Sequence, residues 1–75
     1  MPALPVISGK LCISVLERLG YEIVRTRGSH ARLARQGRAP VTVPLHDELD
    51  RGTLRSILRT AAISIEEFVQ VLREV

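Results

Sequence analysis

The segment that most restricts the fold of this 75-residue chain is a pair of strand-like stretches joined by Gly28-Ser29. Tyr21–Thr26 alternates and is rich in Ile, Val and Thr, and His30–Arg35 follows as the second strand. Glycine accepts the positive φ that a two-residue hairpin turn requires, so the sequence predicts a β-hairpin here. A short third strand is expected at Val41–Val43, where flanking prolines suit the edge of a sheet.

Helical patterns stand on both sides of the predicted sheet. Ser8 can cap a helix over about Gly9–Leu19 that Gly20 ends, Thr53 can cap a second helix, and Ser64 opens a capping box before a third. Apolar residues recur at helical spacing in all three. The order α-β-β-β-α-α predicts an α+β domain, with helices on one face of a three-stranded antiparallel sheet. The other face would be open to solvent, where the strand arginines could gather.

The length leaves no room for a second hydrophobic core. We therefore expect one domain over residues 1–75, with residues 1–7 as an irregular lead. Aromatic residues make up only 3% of the chain, so the core should be built from aliphatic side chains. The single cysteine, Cys12, excludes an internal disulfide and lies in an apolar helical stripe, as a core residue would. Neither a signal peptide nor an apolar run of about 18 residues is visible, so a cytoplasmic protein without membrane contact is expected.

Positive charge is concentrated in the middle of the chain. Residues 18–38 hold six arginines and one acidic residue, a net charge of +5, although the whole chain carries only +3. Arginine binds phosphate through two parallel hydrogen bonds, so this segment suggests a polyanionic partner such as nucleic acid. The alternative is an arginine-rich surface that binds no partner.

A set of short motifs follows in order along most of the chain. They are Gly20-Tyr21, Arg25, Gly28-Ser29-His30, Val43-Pro44, His46 and Gly52-Thr53-Leu54. Together, over about residues 8–72, they resemble the HicA toxin family, also called YcfA-like. The resemblance implies a double-stranded-RNA-binding-domain-like fold, an mRNA interferase that blocks translation by cutting mRNA, and a HicB-type antitoxin as a partner in a hetero-oligomer. It also implies that His30 is the catalytic residue. One departure is the helix end at residues 60–64, which reads TAAIS where many members have a glycine.

The chemistry of RNA cleavage fits a histidine beside arginines. A 2′-hydroxyl attacks the neighbouring phosphodiester when a base takes its proton, an acid protonates the leaving oxygen, and cations stabilise the phosphorane. Histidine as a residue type can serve as base or acid near neutral pH. Gly28 allows a close approach of the backbone, and Ser29 can hydrogen-bond a phosphate oxygen. From the residues alone, a turn histidine is more often an ordinary surface residue, and it is the resemblance that favours catalysis by His30.

Further residues are candidates for RNA binding by their charge and position. They are Lys10, Arg25, Arg27, Gly28, Ser29, Arg32 and Arg35. Strand alternation prevents the hairpin arginines from all sharing one face, and Arg27 and Arg32 are the two expected beside His30. Lys10 is included because double-stranded-RNA-binding domains place their first helix on the minor groove.

His46 is a secondary candidate, for orientation of the substrate or for antitoxin contact. Its acidic neighbours Asp47 and Glu48 would repel a phosphate, so the alternative is a plain turn residue. No cysteine, histidine or carboxylate cluster has the spacing of metal ligands, and we expect a metal-independent enzyme without a cofactor.

Two other functions are compatible with the same residues. One is a non-catalytic RNA-binding module of double-stranded-RNA-binding-like fold, which would bind RNA without cutting it. The other is a subunit that acts only inside an antitoxin–DNA complex, although such a subunit has no need of a histidine on a basic hairpin.

Overall fold

The computed structural model describes residues 3–75, so Met1 and Pro2 of the predicted lead lie outside the described residues. Its elements are α1 Gly9–Arg18, β1 Glu22–Arg27, β2 His30–Ala34, β3 Val41–Pro44, α2 Arg51–Ala61 and α3 Ile65–Leu72. The strands form one antiparallel sheet in the order β1-β2-β3. The predicted α+β class and element order are confirmed, with strand ends displaced by one residue, a difference usual for sequence-based boundaries.

The hairpin between β1 and β2 has the predicted two-residue turn. Gly28, the first turn residue, has a φ of +57°, and Arg27 pairs with His30 across the turn. A positive φ at the first turn position alone is the pattern of a type II′ hairpin, which glycine favours because it has no Cβ. This turn fixes the register of the two strands as far as the pair Arg25 and Arg32.

A β-bulge interrupts β1 at Val24. Ile23 pairs with Leu33 and Arg25 pairs with Arg32, so Val24 is one residue more than β2 can match. Strict alternation would put Tyr21, Ile23 and Arg25 on the same face of the strand. The bulge changes the phase, so that Tyr21 is buried while Arg25 is exposed.

The core lies between the helices and one face of the sheet. Ala31 and Leu33 of β2 and Val41 and Val43 of β3 are buried, and β3 packs against both α1 and α2. Both aromatic residues lie inside this mainly aliphatic core, which adds Tyr21 and Phe68 to the aliphatic set that we expected. The Tyr21 hydroxyl donates a hydrogen bond to the Ala39 carbonyl, 2.9 Å away, so its one polar atom is satisfied.

Cys12 is completely buried in α1, as its position in the apolar stripe predicts. Burial raises the pKa of its thiol to about 12, because the thiolate would lose its hydration inside the core. The thiol therefore stays protonated near neutral pH, and Cys12 serves as a small core residue.

The lead before α1 is irregular but anchored. Leu4 is buried, and Ile7 forms an isolated antiparallel bridge with Leu49. The Arg51 Nε donates to the Leu4 carbonyl at 2.7 Å. These contacts attach residues 4–7 to the core, a role that the composition of the lead did not suggest.

The start of α1 is fixed against the end of β3. Ser8 caps the helix as predicted, since its hydroxyl accepts a hydrogen bond from the Leu11 N–H at 3.1 Å. The Gly9 N–H donates to the His46 carbonyl at 2.9 Å. A side chain at Gly9 would overlap with the carbonyl oxygen of Pro44, so the helix can approach the strand this closely only with glycine there.

The prediction that Thr53 caps α2 is wrong. The cap is Asp50, whose carboxylate accepts hydrogen bonds from the Thr53 N–H at 2.7 Å and the Thr53 hydroxyl at 2.9 Å. Arg51 is therefore the first helical residue. Asp and Thr are both favoured at helix N-caps, and here the Thr53 side chain donates to Asp50 and does not accept from the helix itself. The pKa of the Asp50 carboxyl is lowered because the backbone N–H of Thr53 stabilises its charged form, with a further contribution from the hydroxyl.

The end of α2 adopts a left-handed conformation on a residue with a Cβ. Ala62 has a φ of 58°. Arg38, from the turn after β2, donates to the carbonyls of Ala61 and Ala62 at 2.8 and 3.0 Å. The guanidinium thus binds free carbonyl groups at a helix C-terminus, where the helix dipole favours positive charge. Ser64 then caps α3 by accepting from the Glu67 N–H at 3.0 Å, as the capping-box motif predicts.

Replacing Ala62 with glycine is expected to stabilise the protein. The left-handed region costs an L-residue roughly 1–2 kcal/mol, of which glycine's greater freedom in the unfolded chain offsets part. We expect Ala62→Gly to raise the melting temperature by a few degrees, since 1 kcal/mol corresponds to about 4–8 °C in a domain of this size. Thermal unfolding followed by circular dichroism measures it, and a lower melting temperature would show that the turn is not strained.

No helix within residues 3–75 has the length and apolar character needed to cross a bilayer.

Candidate functional site

The open face of the sheet carries a small grid of side chains beside the hairpin turn. Arg27 of β1, His30 of β2 and Pro44 of β3 are neighbours in the row nearest the turn. Arg25, Arg32 and Thr42 are neighbours in the next row. These positions point away from the helices because the residues between them on β2 and β3 are buried in the core.

Five residues of this grid line an open depression of about 320 Å³, and we call it the basic depression. They are Arg25, Arg27, His30, Arg32 and Thr42. Three are arginines, one is a histidine, and none carries a carboxylate. Like charges on neighbouring strands repel one another, so an arrangement of this kind is stabilised when an anion binds among them.

The register of β1 and β2 opposes two arginines directly. Arg25 and Arg32 are cross-strand partners, and Arg32 is also the partner of Thr42 on its other side. The Arg32 Nη1 donates a hydrogen bond to the Thr42 hydroxyl oxygen at 3.2 Å. Arg32 is thus held by β3, on the side away from Arg25.

Arg25 lies in the basic depression together with Arg27 and Arg32, the two arginines that we expected beside His30. Arg35 does not. Its side chain runs beside the backbone of Gly20, where a Cβ would lie 3.1 Å from the Arg35 Nε. The four hairpin arginines therefore divide three to one, because Arg35 is out of phase with His30 and Arg32 in the alternation of β2.

Gly28, Ser29 and Lys10 lie outside the basic depression. Gly28 and Ser29 form the exposed turn itself, and the Ser29 carbonyl accepts a hydrogen bond from the Leu45 N–H at 2.7 Å. This contact ties the turn to the segment after β3. Lys10 is exposed in the first turn of α1.

His46 does not join His30 in the basic depression. It is exposed two residues after Pro44, the residue that pairs with His30, and its backbone carbonyl holds the start of α1. The contact that the structure defines for His46 is therefore made by its backbone. A role of its side chain in substrate orientation or antitoxin contact stays a prediction, beside the alternative of a plain turn residue.

Thr42 is the member of the basic depression that our sequence analysis missed. A signal for it was present, because Thr42 stands between two valines in a short strand. When both valines point into the core, the threonine between them must point to the face that carries the histidine.

Comparison with known proteins agrees with this architecture. Residues 9–63 match the model of the family described as HicA toxin of bacterial toxin-antitoxin, a region that contains α1, the sheet and α2 but not α3. The fold is similar to a chain in a toxin–antitoxin complex from Streptococcus pneumoniae, with 33% sequence identity and a TM-score of 0.67. The similarity covers 76% of this chain and 98% of that chain. No curated protein matches the sequence. The family match spans well over half of the residues, and the chain belongs to the HicA toxin family.

Proposed function

We propose that this protein is a metal-independent endoribonuclease that cleaves mRNA and thereby inhibits translation, with His30 as its general acid–base. The observation that carries the proposal is the basic depression, in which one histidine stands among three arginines without a carboxylate. A phosphodiester is the anion that such a set fits best, since arginine binds phosphate oxygens in pairs and histidine transfers protons.

The proposed reaction uses the nucleophile that RNA itself contains. His30 accepts the proton of a 2′-hydroxyl, whose oxygen attacks the adjacent phosphorus. The bond from phosphorus to the 5′-oxygen then breaks, and the imidazolium returns the proton to that oxygen. The products are a 2′,3′-cyclic phosphate and a 5′-hydroxyl, and the histidine is regenerated. Arg25, Arg27 and Arg32 stabilise the negative charge that grows on the phosphorane oxygens.

The proposal is tested by incubating the purified chain with a synthetic single-stranded RNA in excess EDTA. We expect cleavage, with cyclic phosphate and 5′-hydroxyl ends identified by mass spectrometry. Activity in EDTA is the expected result for a mechanism in which His30 and the arginines alone act on the phosphodiester. The matched control is the same oligonucleotide with 2′-deoxyribose throughout, which lacks the nucleophile. Cleavage of the control, or a requirement for a divalent ion, would contradict the mechanism.

The main alternative is an RNA-binding module that does not cut. The observation in its favour is that the basic depression contains only one residue that can transfer a proton, whereas many ribonucleases use one residue as the base and another as the acid. The same incubation distinguishes the two functions. Intact RNA, retained by the protein in a filter-binding assay, would establish binding without catalysis.

Binding of RNA to the basic depression should depend strongly on salt. If about three phosphates are neutralised, log Kd for single-stranded RNA should change with log salt concentration with a slope of magnitude near 2. We expect Arg25→Ala, Arg27→Ala and Arg32→Ala each to reduce that slope by about 0.7, measured on protein that also carries His30→Ala. Arg55→Ala, at an exposed position on α2, is the matched control. A salt-independent affinity would rule out binding through phosphates.

We further propose that a HicB-type antitoxin inhibits this chain by covering the basic depression. The similar chain from Streptococcus pneumoniae was solved in a toxin–antitoxin complex. An acidic antitoxin surface would complement the +5 segment and accelerate association. Covering an exposed site also requires no distortion of the sheet.

In the complex, amide hydrogen exchange is expected to slow in residues 26–36 relative to the free toxin. The complex should also melt at a higher temperature, because the antitoxin binds the folded state. Hydrogen-exchange mass spectrometry on free and bound toxin gives the measurement. Protection limited to residues 64–75 would show that inhibition acts from a distance.

A further inference from the structure

Thr42 contributes a neutral side chain to a depression whose other four residues are basic. It is exposed, and its hydroxyl oxygen accepts a hydrogen bond from the Arg32 Nη1 at 3.2 Å. Valine would fit an exposed strand position equally well, because both residues are β-branched. The packing of the sheet therefore gives no reason for a hydroxyl group at this position.

The position of Arg32 gives a reason for the hydroxyl. Arg32 is opposite Arg25 on β1 and opposite Thr42 on β3. Repulsion from Arg25 disfavours any arrangement that brings the two guanidinium groups together, but it does not select one orientation among the others. The hydrogen bond to Thr42 does select one, since it fixes one of the five N–H donors of the guanidinium and leaves four for a ligand.

We propose that Thr42 is a positioning residue, which acts through Arg32 to orient its guanidinium towards the phosphate next to His30. Arg32 and His30 are two residues apart on β2 and point to the same face, so a phosphate can contact both. A guanidinium that is already oriented loses less conformational entropy when the charge on the phosphate develops. The inference rests on the proposed ribonuclease function and adds to it a residue outside the Gly-Ser-His motif.

The test compares Thr42→Val, which removes the hydroxyl and keeps the shape, with Thr42→Ser, which keeps the hydroxyl. Under single-turnover conditions at saturating protein, Thr42→Val should cleave RNA about 3- to 10-fold more slowly, the range for losing one exposed hydrogen bond. Thr42→Ser should stay within about twofold of the unaltered chain. Thr26→Val is the matched control, because Thr26 is an exposed strand threonine whose partner, Ala31, is buried on the helix side.

A double-mutant cycle separates positioning from a general structural effect. In an Arg32→Ala background, Thr42→Val should cause no further loss of rate, because the group that it orients is gone. A multiplicative loss in that background would show that Thr42 acts independently of Arg32 and would overturn the inference. So would a Thr42→Val protein that cleaves at the full rate. A chain that cleaves no RNA at all would instead refute the proposed function, and the inference with it.

Discussion

Replacing His30 with alanine is expected to slow RNA cleavage by about 10²–10⁴-fold, the contribution of a positioned general acid–base. The basic depression contains no other side chain that can take a proton from a 2′-hydroxyl near neutral pH, because arginine remains protonated. His30→Gln should lose as much, since an amide retains hydrogen bonding but cannot transfer the proton. The rate constant is measured in single-turnover experiments with end-labelled RNA.

The fold should survive these substitutions, because His30 is exposed and begins a strand without packing into the core. Unchanged circular dichroism and RNA affinity would therefore assign the loss to catalysis. His46→Ala is the matched control, and its effect should be much smaller, because His46 lies outside the basic depression. A His30→Ala protein that still arrests growth on induction would refute the assignment, and an equal loss in His46→Ala would indicate a paired acid and base.

Replacing Gly9 with alanine is expected to destabilise the protein by about 3 kcal/mol, the upper part of the range for overpacking a tight contact. The added Cβ would overlap with the Pro44 carbonyl oxygen, and both groups belong to backbone that is held by other contacts. α1 would have to move away from β3, which would weaken the hydrogen bond from the Gly9 N–H to the His46 carbonyl. A domain of this length has a total stability of only about 4–11 kcal/mol.

The loss should lower the melting temperature by at least about 12 °C, from the usual 4–8 °C for each kcal/mol in a domain of this size. Lys10→Ala is the matched control, because Lys10 is the next residue in α1 and is exposed. Its effect on stability should stay within about 0.5 kcal/mol. If Gly9→Ala has the same melting temperature as the unaltered chain, α1 can shift away from β3 without loss of stability, and the prediction is wrong.

The parts of the fold that depend on local signals could be predicted from the sequence. The hairpin turn follows from the glycine in Gly28-Ser29, and the caps at Ser8 and Ser64 follow from hydroxyl side chains before apolar helical repeats. The cap of α2 was misplaced because Asp50 and Thr53 are both good capping residues, and only the hydrogen bonds between them show which lies outside the helix. The burial of Leu4 depends on contacts distant in the chain, which no local pattern reports.

The sequence predicted most of the residues of the candidate site, but it predicted their positions relative to one another less well. The charge pattern and the Gly-Ser-His motif pointed to His30, and strand alternation placed Arg27 and Arg32 beside it. Arg35 lies elsewhere because it is out of phase with His30 and Arg32 along the chain. The sequence did not place Arg25 or Thr42 next to His30, and both enter the site because they pair with Arg32 from either side. That pairing is a property of register, a relation between strands that neither strand determines alone.

The bulge at Val24 has a consequence for how the length of this chain can vary. The two-residue turn fixes the positions of Arg25 and Arg27 at one end of β1, and the buried Tyr21 fixes the backbone at the other end. Val24 lies between these two fixed ends and has no partner on β2. Without it, Ile23 would still meet Leu33 and Arg25 would still meet Arg32. We therefore expect a chain without Val24 to keep the tyrosine buried and the guanidinium groups in place. The bulge separates the end of β1 next to the buried Tyr21 from the end that carries the arginines of the basic depression.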